Sequence, residues 1–165
     1  MTGPTPGGGG PPAWLPAHDP FDGDWFAYVE RLYLRYLADL VDSRPIWRGK
    51  QVFVDDERLV NDKHFTFWHI TSGIDAKTKD LLDPDLERCA RICWVRPILE
   101  APEAEVRTWI QANRNGVVAV ALPDFSFLVI IKEVKARAFL KSAYVVDRQT
   151  RRDQYGRECD ASEKR

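Results

Sequence analysis

Two apolar segments in the second half of the chain constrain its fold more than any other feature. Val117–Leu122 and Phe125–Ile131 are each as long as a β-strand. Both are far shorter than the roughly 20 apolar residues that a membrane-spanning helix needs. Between them, Pro123-Asp124 is typical of a turn. Strands that are apolar at nearly every position belong in the centre of a sheet that is covered on at least one side. The chain is therefore predicted to fold around a buried sheet.

Two further strands are predicted beside this pair. Val106–Gln111 comes before it, and Asn115-Gly116 supplies the turn. The second apolar strand extends to Lys132, and after a basic loop Ala138–Val146 is the last strand. Short connections make chain neighbours antiparallel. The expected fold class is thus α+β, with N-terminal helices packed on a four-stranded antiparallel β-meander.

The N-terminal half predicts two helices. Asp24 is a suitable N-cap, and Ser43-Arg44-Pro45 ends the first helix because proline disfavours helix in the residue before it. Its apolar stripe, which recurs at helical spacing, consists of Phe26, Val29, Leu32, Tyr33, Tyr36, Leu37 and Leu40. A second helix is expected to begin at Asp83-Pro84 and to end at Arg96-Pro97, with Arg96 extended.

The rest of the chain predicts less regular structure. Residues 1–20 are rich in glycine and proline and are expected to be a disordered tail. A single domain is expected over residues 21–155, followed by a charged C-terminal tail over 156–165 with at most one short helix after Asp147. Within the domain, Gln51–Val54 has the length of a short strand, and Gly73–Asp80 is expected to be a polar loop.

Composition limits the class of protein. An apolar share of 44% excludes a wholly disordered chain. The N-terminus lacks the basic start and apolar block of a secretory signal, and three cysteines without CxxC spacing do not predict a disulfide framework. These features predict a soluble protein of the cytoplasm, without a membrane segment. Residues 132–152 carry seven basic groups against two acidic ones, which could attract phosphate but more simply describe a solvated strand edge.

The histidines and cysteines do not predict a metal site. Cys89 and Cys93 are four residues apart on one helical face, but no second pair lies at ligand spacing elsewhere. His64 and His69, five residues apart, would lie on opposite faces of a strand. We therefore expect buried structural cysteines and no cofactor.

Histidine, arginine, hydroxyl and lysine side chains remain as candidates for chemistry. Such a set suits RNA cleavage by the neighbouring 2′-hydroxyl, which needs a base, an acid and cations around the phosphorus. Histidine titrates near neutral pH and arginine binds phosphate oxygens in pairs. From these residues alone, a histidine among aromatic side chains is more often a packing group.

Three segments add a resemblance to a known group of proteins. They are Phe67–Ile70 (FWHI), Asp85–Pro97 (DLERCARICWVRP) and Phe139–Val146 (FLKSAYVV). Together they resemble the signature of a phage-associated branch of the barnase–EndoU–colicin–RelE-like ribonucleases. The similarity runs from about Ile46 to Tyr155. That fold pairs N-terminal helices with a four-stranded antiparallel sheet, which agrees with the order of elements read from the periodicity.

The resemblance implies a metal-independent endoribonuclease that acts as a toxin or effector of a phage or mobile element, with RNA as its substrate and a neutralising protein as a possible partner. It implies His69 as a proton-transfer residue and Arg91 and Arg96 as phosphate-binding groups beside the sheet. Ser142 and Tyr144 would orient the phosphate. Where the family tends to have Thr-Ala-Tyr-Pro, this chain has Ser-Ala-Tyr-Val, which keeps the hydroxyl and loses the proline. Strict alternation would place Ser142 and Tyr144 on one face with Leu140, and Lys141 on the other.

Each of these residues also has a purely structural interpretation. Arg91 could pair with Glu87 at i,i+4, Arg96 could bind carbonyls at a helix end, and Tyr144 could belong to the core. Two other functions stay open on the sequence. One is a non-catalytic module that binds RNA or protein at the same place on the sheet, and the other is a structural or assembly protein of a mobile element. The nuclease hypothesis requires His69 and the arginines to meet over the sheet.

Overall fold

The computed structural model describes residues 10–111 and 115–163, except for the side chain of Glu163. Its strands are β1 (Ile46–Trp47), β2 (Lys50–Phe53), β3 (Leu59–Val60), β4 (Lys63–His64), β5 (Arg107–Ile110), β6 (Val117–Ala121), β7 (Phe127–Val134) and β8 (Arg137–Val145). Six of them form one sheet in the order β1-β2-β8-β7-β6-β5, and β3 and β4 form a separate hairpin. The described part of the chain is therefore α+β, as predicted.

The sheet is larger than the four-stranded antiparallel one expected from the sequence, and it is mixed. Strands β5 to β8 pair antiparallel with their chain neighbours, but β2 pairs parallel to β8 through Val52 opposite Ala138 and Phe53 opposite Phe139. The long connection between β2 and β8, which contains helices and the strands β3 to β7, permits this parallel pairing. Because β2 has only four residues, of which Lys50 and Gln51 are polar, its sequence does not predict a position inside a sheet.

The predicted turn between β5 and β6 lies partly within the described residues. Gly116 has a φ of +73°, a conformation that glycine adopts without strain. A Cβ atom at this position would lie 2.8 Å from the carbonyl oxygen of Glu133. The close approach of β7 therefore requires glycine here, while residues 112–114 lie outside the described part.

The helices are α1 (Trp25–Tyr36), α2 (Phe65–Ser72), α3 (Leu86–Ala90), α4 (Val95–Glu100) and α5 (Gln149–Glu163). Helix α1 continues as a π-helical turn over Leu37–Asp42 and then ends at Ser43. The carboxylate of Asp24 accepts a hydrogen bond from the Ala27 amide at 3.1 Å, so this residue is the predicted N-cap. Phe26, which was expected in the apolar stripe, is instead 84% exposed.

The predicted second helix is two short helices joined by a 3₁₀ turn over Ile92–Trp94. Asp85, rather than Asp83, is the N-cap of α3, since its carboxylate accepts from the amides of Glu87 and Arg88. Arg96 and Pro97 lie inside α4, not after it. Proline is tolerated there because the first amides of a helix have no intrahelical partner.

Apolar side chains cover both faces of the sheet. On one face, Val118, Val129 and Ile131 pack in a cluster with side chains of α1, α2, α3 and α4. On the other face, Ala119, Leu128 and Ile130 pack against Tyr155 and Cys159 of α5. Helix α5 is longer than the short helix expected, because its polar sequence did not indicate that it continues to Glu163. Because it covers the second face, that face of the central strands is not open to a substrate.

Part of the expected N-terminal tail is attached to the domain. Leu15 is buried, and the carbonyl of Pro16 accepts a hydrogen bond from the Trp94 indole at 2.9 Å. The amide of Asp19 donates to the carbonyl of Ala90 at 2.7 Å, and its carboxylate pairs with Arg31 at 2.8 Å. Positions 15–19 are thus a docked segment, while residues 1–9 lie outside the described part.

Candidate functional site

A β-bulge in β8 changes the faces on which its side chains lie. Ile130 pairs with Ser142 and Ile131 with Leu140, so Lys141 has no partner of its own on β7. Leu140 packs in the cluster on the side of α1–α4, whereas Tyr144 packs on the side of α5. Ser142 and Tyr144 therefore lie on the face opposite to Leu140, and the prediction from strict alternation was wrong. One extra residue in a strand reverses the alternation beyond it.

The second half of β8 is an edge in the described part of the sheet. Strand β2 pairs only with Ala138 and Phe139, so the bulge and the residues after it have no strand partner on that side. Helices α2 and α3 lie beside β8 there. The edge of β8 is therefore where side chains of α2, α3 and the strand can meet without a covering layer.

His69 lies in α2 at this edge and is half-buried. The helical position corrects the interpretation of His64 and His69 as residues on opposite faces of a strand. Burial lowers the pKa of His69 to about 4, and the positive charges of Arg88 and Lys141 add to this effect. The imidazole is consequently neutral at pH 7 and lies near two cations.

Arg88 is the arginine that the structure places beside His69. Its Nη1 donates to the carbonyl of His69 at 3.4 Å, and its guanidinium lies 5.5 Å from the ring centre of Tyr144. The carboxylate of Asp85 is 3.9 Å from its Nε, so the ion pair is long. Gly73 permits this position, because a Cβ atom there would be 2.9 Å from Nη1.

Sequence reasoning missed Arg88. It lies in the same motif as Arg91 and Arg96, and no difference in spacing or residue type distinguishes the three. Only the fold of α3 against β8 shows which guanidinium approaches His69.

Arg91 and Arg96 make contacts away from His69. Arg91 donates to the carboxylate of Glu87 at 2.7 Å and to the Glu87 carbonyl at 3.0 Å. Arg96 pairs with Glu100 at 2.9 Å and donates to the carbonyl of Asp39 at 2.8 Å. Arg96 thereby binds carbonyl groups near the end of α1. These contacts agree with the structural interpretation of both arginines, namely an i,i+4 pair for Arg91 and carbonyl binding near a helix end for Arg96.

Ser142 and Tyr144 lie on the α5 side of the edge. The hydroxyl of Tyr144 is 2.9 Å from that of Tyr155, and burial raises the pKa of Tyr144. Ser142 is half-buried opposite Ile130. The structure thus brings Tyr144 to Arg88 but engages its hydroxyl with α5.

A cleft of about 440 Å³, which we call the arginine cleft, opens beside Arg88. Its lining consists of Arg88, Tyr144, Val145, Val146, Asp147, Arg148, Arg151 and Tyr155. Three guanidinium groups face one carboxylate, so the cleft has a net positive lining. Guanidinium groups and phenol hydroxyls are the donors that proteins use for phosphate oxygens.

The cysteines and the described carboxylates do not form a metal centre. Cys89, Cys93 and Cys159 are buried thiols, and burial raises the pKa of Cys89 to about 12. Among residues 10–111 and 115–163, no three His, Cys, Asp or Glu side chains are grouped as metal ligands would be. The described helices also include none with the length and apolar character needed to cross a membrane.

Comparison of this chain with protein-family models, with curated proteins and with solved structures finds no match. A functional assignment therefore depends on the chemistry of the β8 edge and of the arginine cleft beside it.

Proposed function

We propose that this chain is a metal-independent endoribonuclease that acts at the edge of β8. The observation that carries the proposal is the convergence of a neutral imidazole, His69, with two cations, Arg88 and Lys141, beside a cleft lined by arginine. The arginine cleft would bind a phosphodiester, and His69 would accept the proton of the adjacent 2′-hydroxyl.

The chemistry requires no group beyond these side chains. The neutral imidazole accepts the 2′-hydroxyl proton, and the 2′-oxygen attacks phosphorus to form a 2′,3′-cyclic phosphate. The 5′-oxygen leaves and receives the proton from the imidazolium. Arg88 and Arg151 neutralise the charge that develops on the phosphorane oxygens.

Substrate binding would also tune His69. A pKa near 4 makes the imidazole a weak base, because a base works best when its pKa is near the working pH. A phosphate bound in the arginine cleft places negative charge next to Arg88 and offsets its repulsion of a proton on the imidazole. We therefore expect the pKa of His69 to rise when the cleft is occupied.

The role in the cell follows from the resemblance of the three sequence segments. We propose that the antiparallel strands β5–β8, with α1–α4 on one face, correspond to the barnase–EndoU–colicin–RelE-like architecture that these segments resemble. A toxin or effector of a phage or mobile element, active in the cytoplasm and restrained by a neutralising protein, is the corresponding biological proposal. Three buried thiols are compatible with a reducing compartment.

The test is cleavage of total RNA by purified protein with a chelator present. His69→Gln is expected to reduce cleavage by about 100-fold or more, which is the usual contribution of a general base. His18→Gln is the matched control, since His18 is exposed and lines neither the arginine cleft nor the β8 edge. Equal cleavage by both variants, or a requirement for added metal, would contradict this mechanism.

A second candidate is RNA binding without cleavage, and two observations favour it. The lowered pKa weakens His69 as a base, and Tyr155 engages the hydroxyl of Tyr144. Arg151→Gln would then weaken salt-sensitive RNA binding, while Arg157→Gln on the same helix, outside the arginine cleft, would not. A stable oligomer without RNA affinity would instead support the structural or assembly role.

A further inference from the structure

A second cleft, of about 460 Å³, is lined in part by Lys141. Its lining also includes Phe53 of β2 and Phe139 of β8, which are register partners with ring centres 5.8 Å apart. The guanidinium of Arg44 lies 4.3 Å from the ring centre of Phe53, and that of Arg137 lies 5.1 Å from it. We call this the Phe53 cleft.

Within the part of the chain that the structure describes, the cations of the Phe53 cleft form no direct ion pairs. Among the described residues, Arg44, Arg137 and Lys141 have no carboxylate within ion-pair distance. The same cleft is lined by the carboxylates of Asp55, Asp56 and Glu57. Charged side chains therefore surround two phenylalanine rings whose planes are inclined by 36° to each other. Asp55 accepts hydrogen bonds from the amides of Glu57 and Arg58, while the three cations have no carboxylate partner among the described residues.

The charge balance distinguishes this cleft from the arginine cleft. Three cations and three carboxylates line the Phe53 cleft, so its lining is neutral in sum. The electrostatic attraction for a phosphate is therefore weaker there than among the three arginines of the arginine cleft. A flat, uncharged group with donors and acceptors at its rim is the better ligand, and a nucleobase is such a group.

The two clefts lie along the same strand, because Phe139 and Lys141 of β8 line the Phe53 cleft and Tyr144 and Val145 of β8 line the arginine cleft. Lys141 lines the Phe53 cleft, Arg88 lines the arginine cleft, and both charges act on the imidazole. A single nucleic acid strand that runs from one cleft to the other would therefore pass His69. We propose that the Phe53 cleft stacks the nucleobase next to the phosphodiester that occupies the arginine cleft, in single-stranded RNA. This inference rests on the proposed function of the same site.

Binding of a 2′-O-methyl oligoribonucleotide tests this inference without cleavage, because the methyl group blocks the attacking hydroxyl. Phe139→Leu is expected to weaken the affinity by about tenfold, since stacking on an aromatic ring contributes about that factor per base. Phe139→Trp should restore it. Phe26→Leu removes an exposed phenylalanine of α1 that lies outside both clefts, and it should leave the affinity unchanged.

Two further measurements separate stacking from charge and from folding. Phe139→Leu should leave the slope of affinity against salt unchanged, because it removes no phosphate contact. It should also have little effect on an oligonucleotide that carries an abasic site at the stacked position. An unchanged affinity for the intact oligonucleotide, an equal loss with the abasic one, or no oligonucleotide binding at all would each overturn the inference.

The outcomes for the two proposals differ. If the protein binds the oligonucleotide through Phe139 but cleaves no RNA, the stacking site is supported and the nuclease proposal is contradicted. If the Phe139→Leu variant cleaves RNA as well as the wild type and binds the oligonucleotide with unchanged affinity, only the stacking site is contradicted.

Discussion

At the scale of single residues, His69 shows how an imidazole is kept neutral by its surroundings. Burial disfavours the charged form, and Arg88 and Lys141 repel a proton from two sides. The resemblance implied Arg91 and Arg96 as the cations beside His69, whereas the structure places Arg88 and Lys141 there. Which cations these are depends on the register of β8 and on the packing of α3, and neither can be read from residue spacing.

The lowered pKa of His69 predicts a pH-dependent contribution to stability. The unfolded chain binds a proton at a pKa of 6.5, whereas the folded protein does so only at about 4. Stability is therefore lost as the pH falls from 6.5 to 4, by about 3 kcal/mol in total. His69→Gln lacks this titration, so the stability difference between wild type and variant should shift by that amount across this range.

Urea denaturation of both proteins between pH 4 and pH 7.5 measures this shift. Other titrating groups affect both proteins alike and cancel in the difference. Parallel stability curves for the two proteins would show that His69 titrates normally in the folded state.

At the scale of secondary-structure elements, α5 is a polar helix held by few apolar side chains. Tyr155 and Cys159 are its buried residues, and they complete the cluster around Trp109 and Phe125. Two polar contacts help to fix it, because Arg152 donates to the carbonyl of Val146 and Arg107 pairs with Asp160. A helix with so few buried apolar residues has no apolar periodicity, so the sequence predicted at most one short helix followed by a charged tail here.

Tyr155 should therefore carry much of the attachment of α5. Tyr155→Ala removes a buried ring and is expected to lower the free energy of unfolding by about 3–5 kcal/mol. Tyr155→Phe keeps the ring and loses only the hydroxyl pair with Tyr144, which corresponds to about 1 kcal/mol. Denaturation of the two variants by urea would separate these terms, and equal losses would mean that packing of the ring contributes little.

The predicted elements differ in how strongly their sequences specify them. Helix α1 has a good N-cap at Asp24 and a proline after its end. Strand β6 is apolar throughout and β7 is apolar over its first five residues, so all three elements were predicted. Helix α2 was not assigned, since the aromatic run from His64 to Ile70 fits either a strand or a helix. The bulge at Lys141 was missed because no single residue type marks a bulge.

At the scale of the whole molecule, the docked N-terminal segment belongs to the folded unit. Leu15 is buried in the cluster of α1–α4, and Pro16, Ala17 and Asp19 all accept hydrogen bonds or ion pairs from that layer. Composition predicted a tail through residue 20, because glycine and proline dominate it. From position 15 onward, contacts of a few specific residues hold the segment on the domain, although its composition is that of a tail.

Removal of this segment should destabilise the domain. A chain that begins at residue 21 is expected to lose about 2–4 kcal/mol, from the burial of Leu15 and the hydrogen bonds to Pro16 and Asp19. A chain that begins at residue 10 keeps all of these contacts and is the control. Thermal unfolding of both truncated chains measures the effect, and equal midpoints would show that positions 15–19 add no stability.

The parallel pairing of β2 with β8 has a consequence for how the chain reaches its native state. Residues 52 and 138 must meet before the sheet is complete, so most of the polypeptide lies within the loop that this contact closes. Contacts between such distant positions slow folding, because the entropy of closing the loop is lost before the contact repays it. On the ribosome, where the N-terminal part emerges first, β1 and β2 must wait for the last strand to be synthesised before they can join the sheet.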